Sequence, residues 1–267
     1  MNAKIAKYHF VFKTSVMDAM VYVVDFFGRS GFFAFIMGIY LLLWTLIYRG
    51  SGEQLIEGFS LKMMIWYLVM TEIVTLSTTN YYQEVSIDIK SGNIAYLLNK
   101  PYHYINYCFA NNMGKILVRM FVNTVVGSLV AIIFVGPLLS VKLYQLPFVF
   151  ITLFLGICIN YFINFSLALS AFWVEENNAF RLIFQKLVFT LGGMLLPLDL
   201  FPKWLASLSK VLPFSFITYA PGKLFVDFSF LSFIQVFTWQ IGYLIISVVI
   251  CFLVYRKGVK NLNVNGG

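Results

Sequence analysis

Long apolar runs alternate with short polar segments along most of this chain. Each run has roughly the 20 mostly apolar residues that an α-helix needs to cross the hydrocarbon core of a bilayer. The pattern therefore predicts an all-α polytopic membrane protein with six transmembrane helices, forming a single domain over residues 1–267. The predicted spans are 30–48, 61–81, 116–139, 146–174, 179–197 and 231–255.

Residues 1–28, before the first run, follow a different pattern. Lys7, Thr14, Asp18 and Asp25 fall on one helical face, and mostly apolar residues occupy the other. Such a division is typical of an amphipathic helix that lies in the membrane interface. The alternative is an ordinary first helix of the membrane bundle.

Composition and charge narrow the class of protein further. Hydrophobic residues make up 60% of the chain and charged residues only 11%, whereas soluble domains average about 25% charged residues. A soluble enzyme is therefore excluded. The net charge of +8 is distributed unevenly, since placing both termini in the cytoplasm puts 13 of the 19 Lys and Arg residues inside and 6 outside. By the positive-inside rule, this orientation is expected. The basic residues flank apolar runs, so membrane lipid rather than nucleic acid is the expected partner, and the expected location is a bacterial plasma membrane.

The second span carries an acidic residue and several hydroxyl groups. Glu72 lies within it, followed by Thr75 and Thr79, and the third span contains Asn123. A charge at mid-span costs about 2.5–3.5 kcal/mol, so this helix is expected to avoid lipid. These four residues are candidates for the pathway or for helix interfaces. Glu72 is either a functional group in a cavity or a hydrogen-bonded packing residue.

The long loop from residue 82 to 115, predicted to be cytoplasmic, combines charges with a short apolar face. Exposed apolar residues between charges, on a loop too short to be a domain, favour a docking surface for a protein partner. A solvated loop that folds against the membrane face is the alternative. The candidate docking residues are Glu84, Asp88, Lys90, Ser91, Gly92, Asn93, Ile94, Leu97, Leu98 and Pro101.

The second long loop, residues 198–230, is predicted to lie outside and is rich in proline. Apolar positions within it alternate with Lys203, Ser207 and Lys210, which predicts a short amphipathic helix bounded by prolines. This helix either lies at the outer boundary of the membrane or belongs to a re-entrant hairpin, and simple structural capping is a further alternative. The candidate hairpin residues are Pro197, Asp199, Pro202, Trp204 and Pro213.

The sequence lacks the common motifs of nucleotide-binding, catalytic and metal-binding sites. It contains no GxxxxGK[ST], HExxH or GxSxG pattern, so a P-loop, a zincin site and a hydrolase elbow are not expected. Cys108, Cys158 and Cys251 are widely spaced and form no zinc motif with the two histidines. We therefore expect no catalytic residue, no bound metal and no cofactor in this chain.

Three stretches resemble the membrane subunit of a type-2 ABC exporter. Residues 1–28 resemble the elbow helix of that family. The sequence IKSGNIAYLLNKP at 89–101 resembles the segment that docks on the ATPase. The sequence LLPLDLFPKWLASLSKVLPFSFITYAPGKL at 195–224 resembles the re-entrant hairpin before the last span.

This resemblance implies a transport complex. Two permease subunits, identical or paralogous, would form the pathway above two separate ABC ATPase subunits, which would bind ATP and Mg. Closure of the ATPases would act through the 84–98 segment on the second and third spans. The cargo would be a drug, peptide, lipid or similar amphipathic molecule. Two other functions remain as alternatives, namely a transporter that works without ATP and a membrane scaffold that transports nothing.

Overall fold

The structure is a computed structural model that describes residues 3–21, 23–138 and 141–265. Within these residues the chain is helical and forms no β-strand. The α-helices are α1 (Ala3–Val21), α2 (Val23–Ser51), α3 (Leu61–Leu76), α4 (Tyr81–Lys90), α5 (Asn93–Leu98), α6 (Tyr104–Val135), α7 (Leu146–Ala168), α8 (Asn178–Leu191), α9 (Lys203–Val211), α10 (Pro213–Ile217), α11 (Tyr219–Val226) and α12 (Phe230–Asn265).

Five segments in the described part of the chain are long and apolar enough to cross a membrane, which agrees with the predicted class. They are Gly31–Ser51, Leu61–Lys90, Tyr104–Val135, Leu143–Phe172 and Phe230–Leu262. The predicted count of six spans is not confirmed. The predicted fifth span, 179–197, forms only the 14-residue helix α8. Such a helix is about 21 Å long, which is less than the roughly 30 Å thickness of the hydrocarbon core.

The second span is interrupted, whereas the sequence pattern predicts one continuous helix over 61–81. Helix α3 ends at Leu76, and α4 begins at Tyr81. The side chains of Ser77 and Thr78 donate hydrogen bonds to the carbonyls of Ile73 and Thr75. Hydroxyl groups that bond to nearby backbone carbonyls weaken a helix. The predicted span is therefore corrected to two helices joined by residues 77–80.

Helix α1 packs lengthwise on α6. A Cβ added at Gly114 of α6 would lie 2.7 Å from the carbonyl oxygen of Phe12, so the two backbones approach closely. Ser15, which is buried, donates a hydrogen bond to Asn111. The predicted amphipathic segment of 1–28 is thus divided differently, because α2 already begins at Val23. Residues 1, 2 and 22 and the side chain of Asp25 lie outside the described residues.

The other predicted spans differ from the observed helices at their ends. The predicted third span, 116–139, belongs to α6, which begins at Tyr104 and ends at Val135, and residue 139 lies outside the described part. Helix α7 continues through a 3-10 turn at Leu169–Phe172, close to the predicted end at 174. Helix α12 contains the whole predicted sixth span.

Helix α3 lies at the centre of the bundle. Its residues 64–74 are all buried, and α2, α6 and α11 pack around it. Helix α12 is peripheral and packs mainly on α7. Its fully buried Gln240 donates hydrogen bonds to the carbonyls of Thr152 on α7 (2.8 Å) and Phe216 on α10 (2.9 Å). Polar contacts of this kind matter here because lipid is as apolar as the helix surfaces and supplies little hydrophobic drive for helix association.

Candidate functional site

After α8 the chain turns back on itself. Gly193 has a φ of +69°, a left-handed conformation that glycine adopts without strain. The backbone N–H of Tyr219 and the hydroxyl of Thr218 both donate to the carbonyl of Gly192, at 3.0 and 2.6 Å. Residues 192–229 therefore form a hairpin that leaves the end of α8 and returns to it. This segment is called the 192–229 hairpin.

The returning arm of the 192–229 hairpin is inserted between α3 and α7. Close contacts with small residues make room for it, since a Cβ at Gly156 of α7 would lie 2.6 Å from the carbonyl oxygen of Ile217. A Cβ at Gly222 would lie 3.0 Å from the ring of Tyr67 on α3. The Tyr67 hydroxyl also donates to the carbonyl of Gly193. The hairpin is thus part of the core of the bundle, and its depth in a membrane stays a prediction.

The predicted hairpin residues divide into structural and exposed groups. Pro197 is buried, Pro202 precedes the first turn of α9, and Pro213 begins α10. Asp199 accepts hydrogen bonds from the Tyr219 hydroxyl at 3.0 and 3.1 Å. Trp204 is 70% exposed. The predicted short helix bounded by prolines corresponds to α9 (Lys203–Val211), between Pro202 and Pro213.

Asp199 joins α9 and α11 through charge. Its carboxylate lies 3.4 Å from the ammonium groups of both Lys210 and Lys223. Burial, followed by the negative charge of Asp199, raises the pKa of the Tyr219 hydroxyl, so this group stays protonated and can donate to the carboxylate. The contacts of Asp199 with Tyr219, Lys210 and Lys223 therefore stabilise the hairpin by linking α9 to α11.

Glu72 faces α2. Its side chain is buried and accepts a hydrogen bond of 3.1 Å from the hydroxyl of Tyr40. This contact links α3 to α2 and supplies the donor that a buried carboxylate needs in either of the two predicted roles.

Substituting Tyr40 by Phe is expected to lower the stability of the protein by about 1–3 kcal/mol, because the Glu72 carboxylate then loses this donor while it stays buried. Thermal unfolding of the purified protein measures the effect. The matched control is Tyr144→Phe, which removes a hydroxyl from a side chain that is 59% exposed. Equal melting temperatures for the two variants would contradict the assigned role of Tyr40.

Side chains of α6 form hydrogen bonds with the interruption between α3 and α4. Asn123 donates to the hydroxyl of Ser77 at 3.2 Å, and Arg119 donates to the carbonyl of Thr78 at 2.6 Å. Thr79 donates to the Asn112 side chain at 2.7 Å. The predicted pathway residues Asn123 and Thr79 therefore both lie at the α6 interface, where they satisfy polar groups that the break exposes.

A cavity of about 410 Å³ opens beside the interruption, between α3, α4, α7 and α8. It contains the predicted residues Thr75 and Thr79 but neither Glu72 nor Asn123. Its walls are formed by Val74, Thr75, Thr78, Thr79, Asn80, Tyr81, Tyr82, Asn160, Asn164, Arg181, Leu182, Phe184, Gln185, Lys186, Val188, Phe189, Met194 and Ile217.

Arg181 and Lys186 are the cavity residues that sequence reasoning missed. The available signal was their position inside a predicted span, where ionisable residues usually mark a functional site. Only the structure shows that α8 turns both side chains towards the hydroxyl and amide groups of α3, α4 and α7.

The predicted docking loop forms a sharp corner between α4 and α5. Gly92 has a φ of +75° and lies directly before the first residue of α5. Asp88 of α4 accepts hydrogen bonds from the Asn93 side chain (2.8 Å) and from the hydroxyl of Tyr104 on α6 (3.0 Å). This α4–α5 corner therefore connects the second and third spanning segments and is held to α6 by the hydrogen bond from Tyr104.

Exposure along the corner differs from the expected apolar face. Ile94 is fully buried, and Leu97 and Leu98 are half-buried. The large apolar side chains that the corner exposes are Ile87 (63%) and Tyr96 (60%). The other candidates have these positions: Glu84, Lys90, Ser91, Gly92, Asn93 and Pro101 are exposed, and Asp88 is half-buried.

Comparison with known proteins gives the family. No curated protein matches the chain. The family described as "ABC-2 family transporter protein" matches residues 34–266, which is most of the sequence and includes the interrupted span, the α4–α5 corner and the 192–229 hairpin. The chain therefore belongs to the ABC-2 family of transporter membrane proteins, whose permeases work with an ABC ATPase.

Proposed function

We propose that this chain is the permease subunit of an ATP-driven exporter. Two permease subunits, identical or paralogous, form the pathway, and two separate ABC ATPase subunits bind ATP and Mg. The complex resides in a bacterial plasma membrane with both termini in the cytoplasm, and it exports an amphipathic molecule such as a drug, peptide or lipid.

The observation that supports this proposal best is the construction of the α4–α5 corner. Ile87 and Tyr96 expose apolar surface on either side of the turn, next to the exposed Glu84 and Lys90. Apolar anchors surrounded by charged groups are typical of protein interfaces. The corner therefore has the composition of a docking site for the ATPase.

The corner is also connected to the cavity. Tyr81 and Tyr82, at the first turn of α4, line the cavity, and Asp88 at the last turn is bonded to α5 and α6. Because α4 is separated from α3 by residues 77–80, a displacement of the corner moves the cavity wall without having to bend α3. In the proposed cycle, ATPase closure shifts α4, and the pathway changes from inward-facing to outward-facing.

The end of the bundle that carries the corner is also the basic end, which supports the proposed orientation. Lys7 of α1 donates to the carbonyl of Pro101 just after α5. The ring of Tyr255 stacks on Tyr104, with centroids 6.2 Å apart, so Arg256 and Lys257 of α12 follow close by. Basic residues on one side of the membrane are expected to face the cytoplasm.

Substituting Ile87 or Tyr96 by Asp is expected to reduce co-purification of the partner ATPase by about tenfold or more. A charge placed at an apolar anchor loses contact energy and must be desolvated when the partner binds, at a cost of about 2 kcal/mol or more. The measurement is the yield of ATPase bound to the tagged, full-length permease, with permease insertion quantified in the same membranes.

The matched control is Leu143→Asp, which changes an apolar residue that is 83% exposed at the other end of the bundle. The control should bind ATPase normally. Normal ATPase yield from both corner variants would refute the assignment of the docking site, and transport by the permease in vesicles without any ATPase would refute the ATP-driven mechanism.

A further inference from the structure

The cavity beside the interrupted span is positively charged. Arg181 and Lys186 line it, and none of its described lining residues is acidic. The remaining polar groups of its walls are neutral amides and hydroxyls, such as Gln185 and Thr78. A cleft lined by charges of one sign attracts ions of the opposite sign, so a cavity with two cations and no carboxylate among its described lining residues favours an anionic occupant.

Arg181 has an unused hydrogen-bond donor at this site. Its Nε is buried and has no hydrogen-bond partner within the described structure. Its guanidinium carbon lies 5.5 Å from the centre of the Tyr82 ring, which fixes the group over the aromatic face. Buried donors are nearly always paired in proteins, and guanidinium pairs best with the oxygens of phosphate or carboxylate. The unpaired nitrogen therefore indicates an anionic acceptor.

The far end of the cavity is apolar. Val188, Met194 and Ile217 line it near the end of α8 and the returning arm of the 192–229 hairpin, whereas Arg181 lies in the first turn of α8. Arg181 is thus separated along the length of α8 from these apolar residues, and Lys186 lies between them. The cavity volume of about 410 Å³ lies within the roughly 300–1,000 Å³ range of small-molecule sites.

We propose that this cavity binds an anionic amphiphile. Its phosphate or carboxylate head pairs with Arg181 and Lys186, and its apolar part extends towards Met194 and Ile217. This binding proposal rests on the proposed exporter function only if the amphiphile is the exported cargo. The same head-group chemistry occurs in a resident anionic lipid, and the experiment separates these two sources.

The first experiment measures binding to the full-length permease without ATPase, in nanodiscs of zwitterionic lipid. The probes are three fluorescent amphiphiles with one dodecyl chain and a phosphate, phosphocholine or trimethylammonium head. We expect the alkyl phosphate to bind at least tenfold more tightly than the other two. Equal affinity for all three heads would overturn the proposal.

Charge-removing variants locate the site. Arg181→Gln and Lys186→Gln should each weaken binding of the alkyl phosphate by about tenfold, the usual value of one charge-assisted hydrogen bond. Arg181→Lys should restore part of the affinity. Lys203→Gln, on the exposed face of α9, is the matched control and should bind like the unmodified chain. Unchanged affinity in both cavity variants would overturn the assignment.

The second experiment uses proteoliposomes of the complete complex. ATP-dependent movement of the alkyl phosphate across the membrane identifies the anionic amphiphile as cargo. Retention of phosphatidylglycerol by the purified permease, lost in Arg181→Gln and unaffected by ATP, identifies it as a resident lipid. Because the binding experiment contains no ATPase, a failure of the proposed exporter function leaves its result unaffected.

Discussion

Substituting Gly156 by Val is expected to displace the returning arm of the 192–229 hairpin from the bundle. The first added carbon alone would lie 2.6 Å from the carbonyl oxygen of Ile217 and 3.2 Å from that of Phe216. Both neighbours are backbone atoms, so no flexible side chain can move aside. Overpacking usually costs about 1–3 kcal/mol, and the rigid neighbours place this variant at or above the upper end of that range.

The consequence of Gly156→Val extends beyond local strain. Displacing Ile217 and Phe216 separates α7 from α10, and Phe216 is also one of the two carbonyl acceptors of Gln240. We expect a strongly lowered melting temperature and a low yield of folded protein in detergent. The matched control is Gly242→Val in α12, where an added Cβ meets no atom within 4 Å. Equal stability of the two valine variants would show that the close approach of α7 and α10 is unimportant.

Replacing Ile94 by Asp is expected to prevent stable folding of the α4–α5 corner. Ile94 is fully buried, so the substitution places a carboxylate in the core without a partner. Leaving a buried charge unpaired costs about 3–5 kcal/mol, a large fraction of the stability of an ordinary domain. Fluorescence size-exclusion chromatography and thermal unfolding measure the amount and stability of folded permease.

A comparison at the same corner distinguishes folding from docking. Ile87→Asp carries the identical change on a side chain that is 63% exposed, so this variant should stay folded and lose only its ATPase. Ile94→Val removes one methylene and should cost only about 0.5–1.5 kcal/mol. If Ile94→Asp folds as well as Ile87→Asp, Ile94 is not the core residue described above.

Much of the fold was predictable because lipid imposes a simple pattern on helices. The apolar runs correctly indicated the five segments that are long and apolar enough to cross a membrane, and the run of α8 failed only in its length. A run of apolar residues does not show where a helix stops. Gly192 and Gly193 end α8 at Leu191, and the chain then folds back, because Thr218 and Tyr219 supply partners for the carbonyl of Gly192. These contacts are between residues 26 or more positions apart and leave no local signal.

The candidate site was predicted less completely, because contacts between residues distant in the sequence also determine which side chains lie together there. The hydroxyl-rich stretch around Thr75–Thr79 pointed to the cavity, but Glu72 lies on the α2 side of α3, and its helical position alone does not identify its neighbour. Ile94 and Ile87 have the same chemistry in the sequence. Their different exposures follow from the turn at Gly92, which directs α5 back against the bundle. The positive cavity required α8 to be placed before Arg181 and Lys186 could be assigned to it.

The buried amide of Gln240 has a consequence for helix α12 as a whole. Most of the exposed side chains of this helix are apolar and chemically alike, so they do not favour one rotation of the helix about its own axis. The amide of Gln240 donates to two carbonyls on separate helices and so favours one rotation. Any other rotation of α12 would place this amide in hydrocarbon without hydrogen-bond partners. Together with Tyr243, whose hydroxyl donates to the carbonyl of Val211, this amide specifies which stripe of the last helix faces its neighbours and which belongs to the lipid.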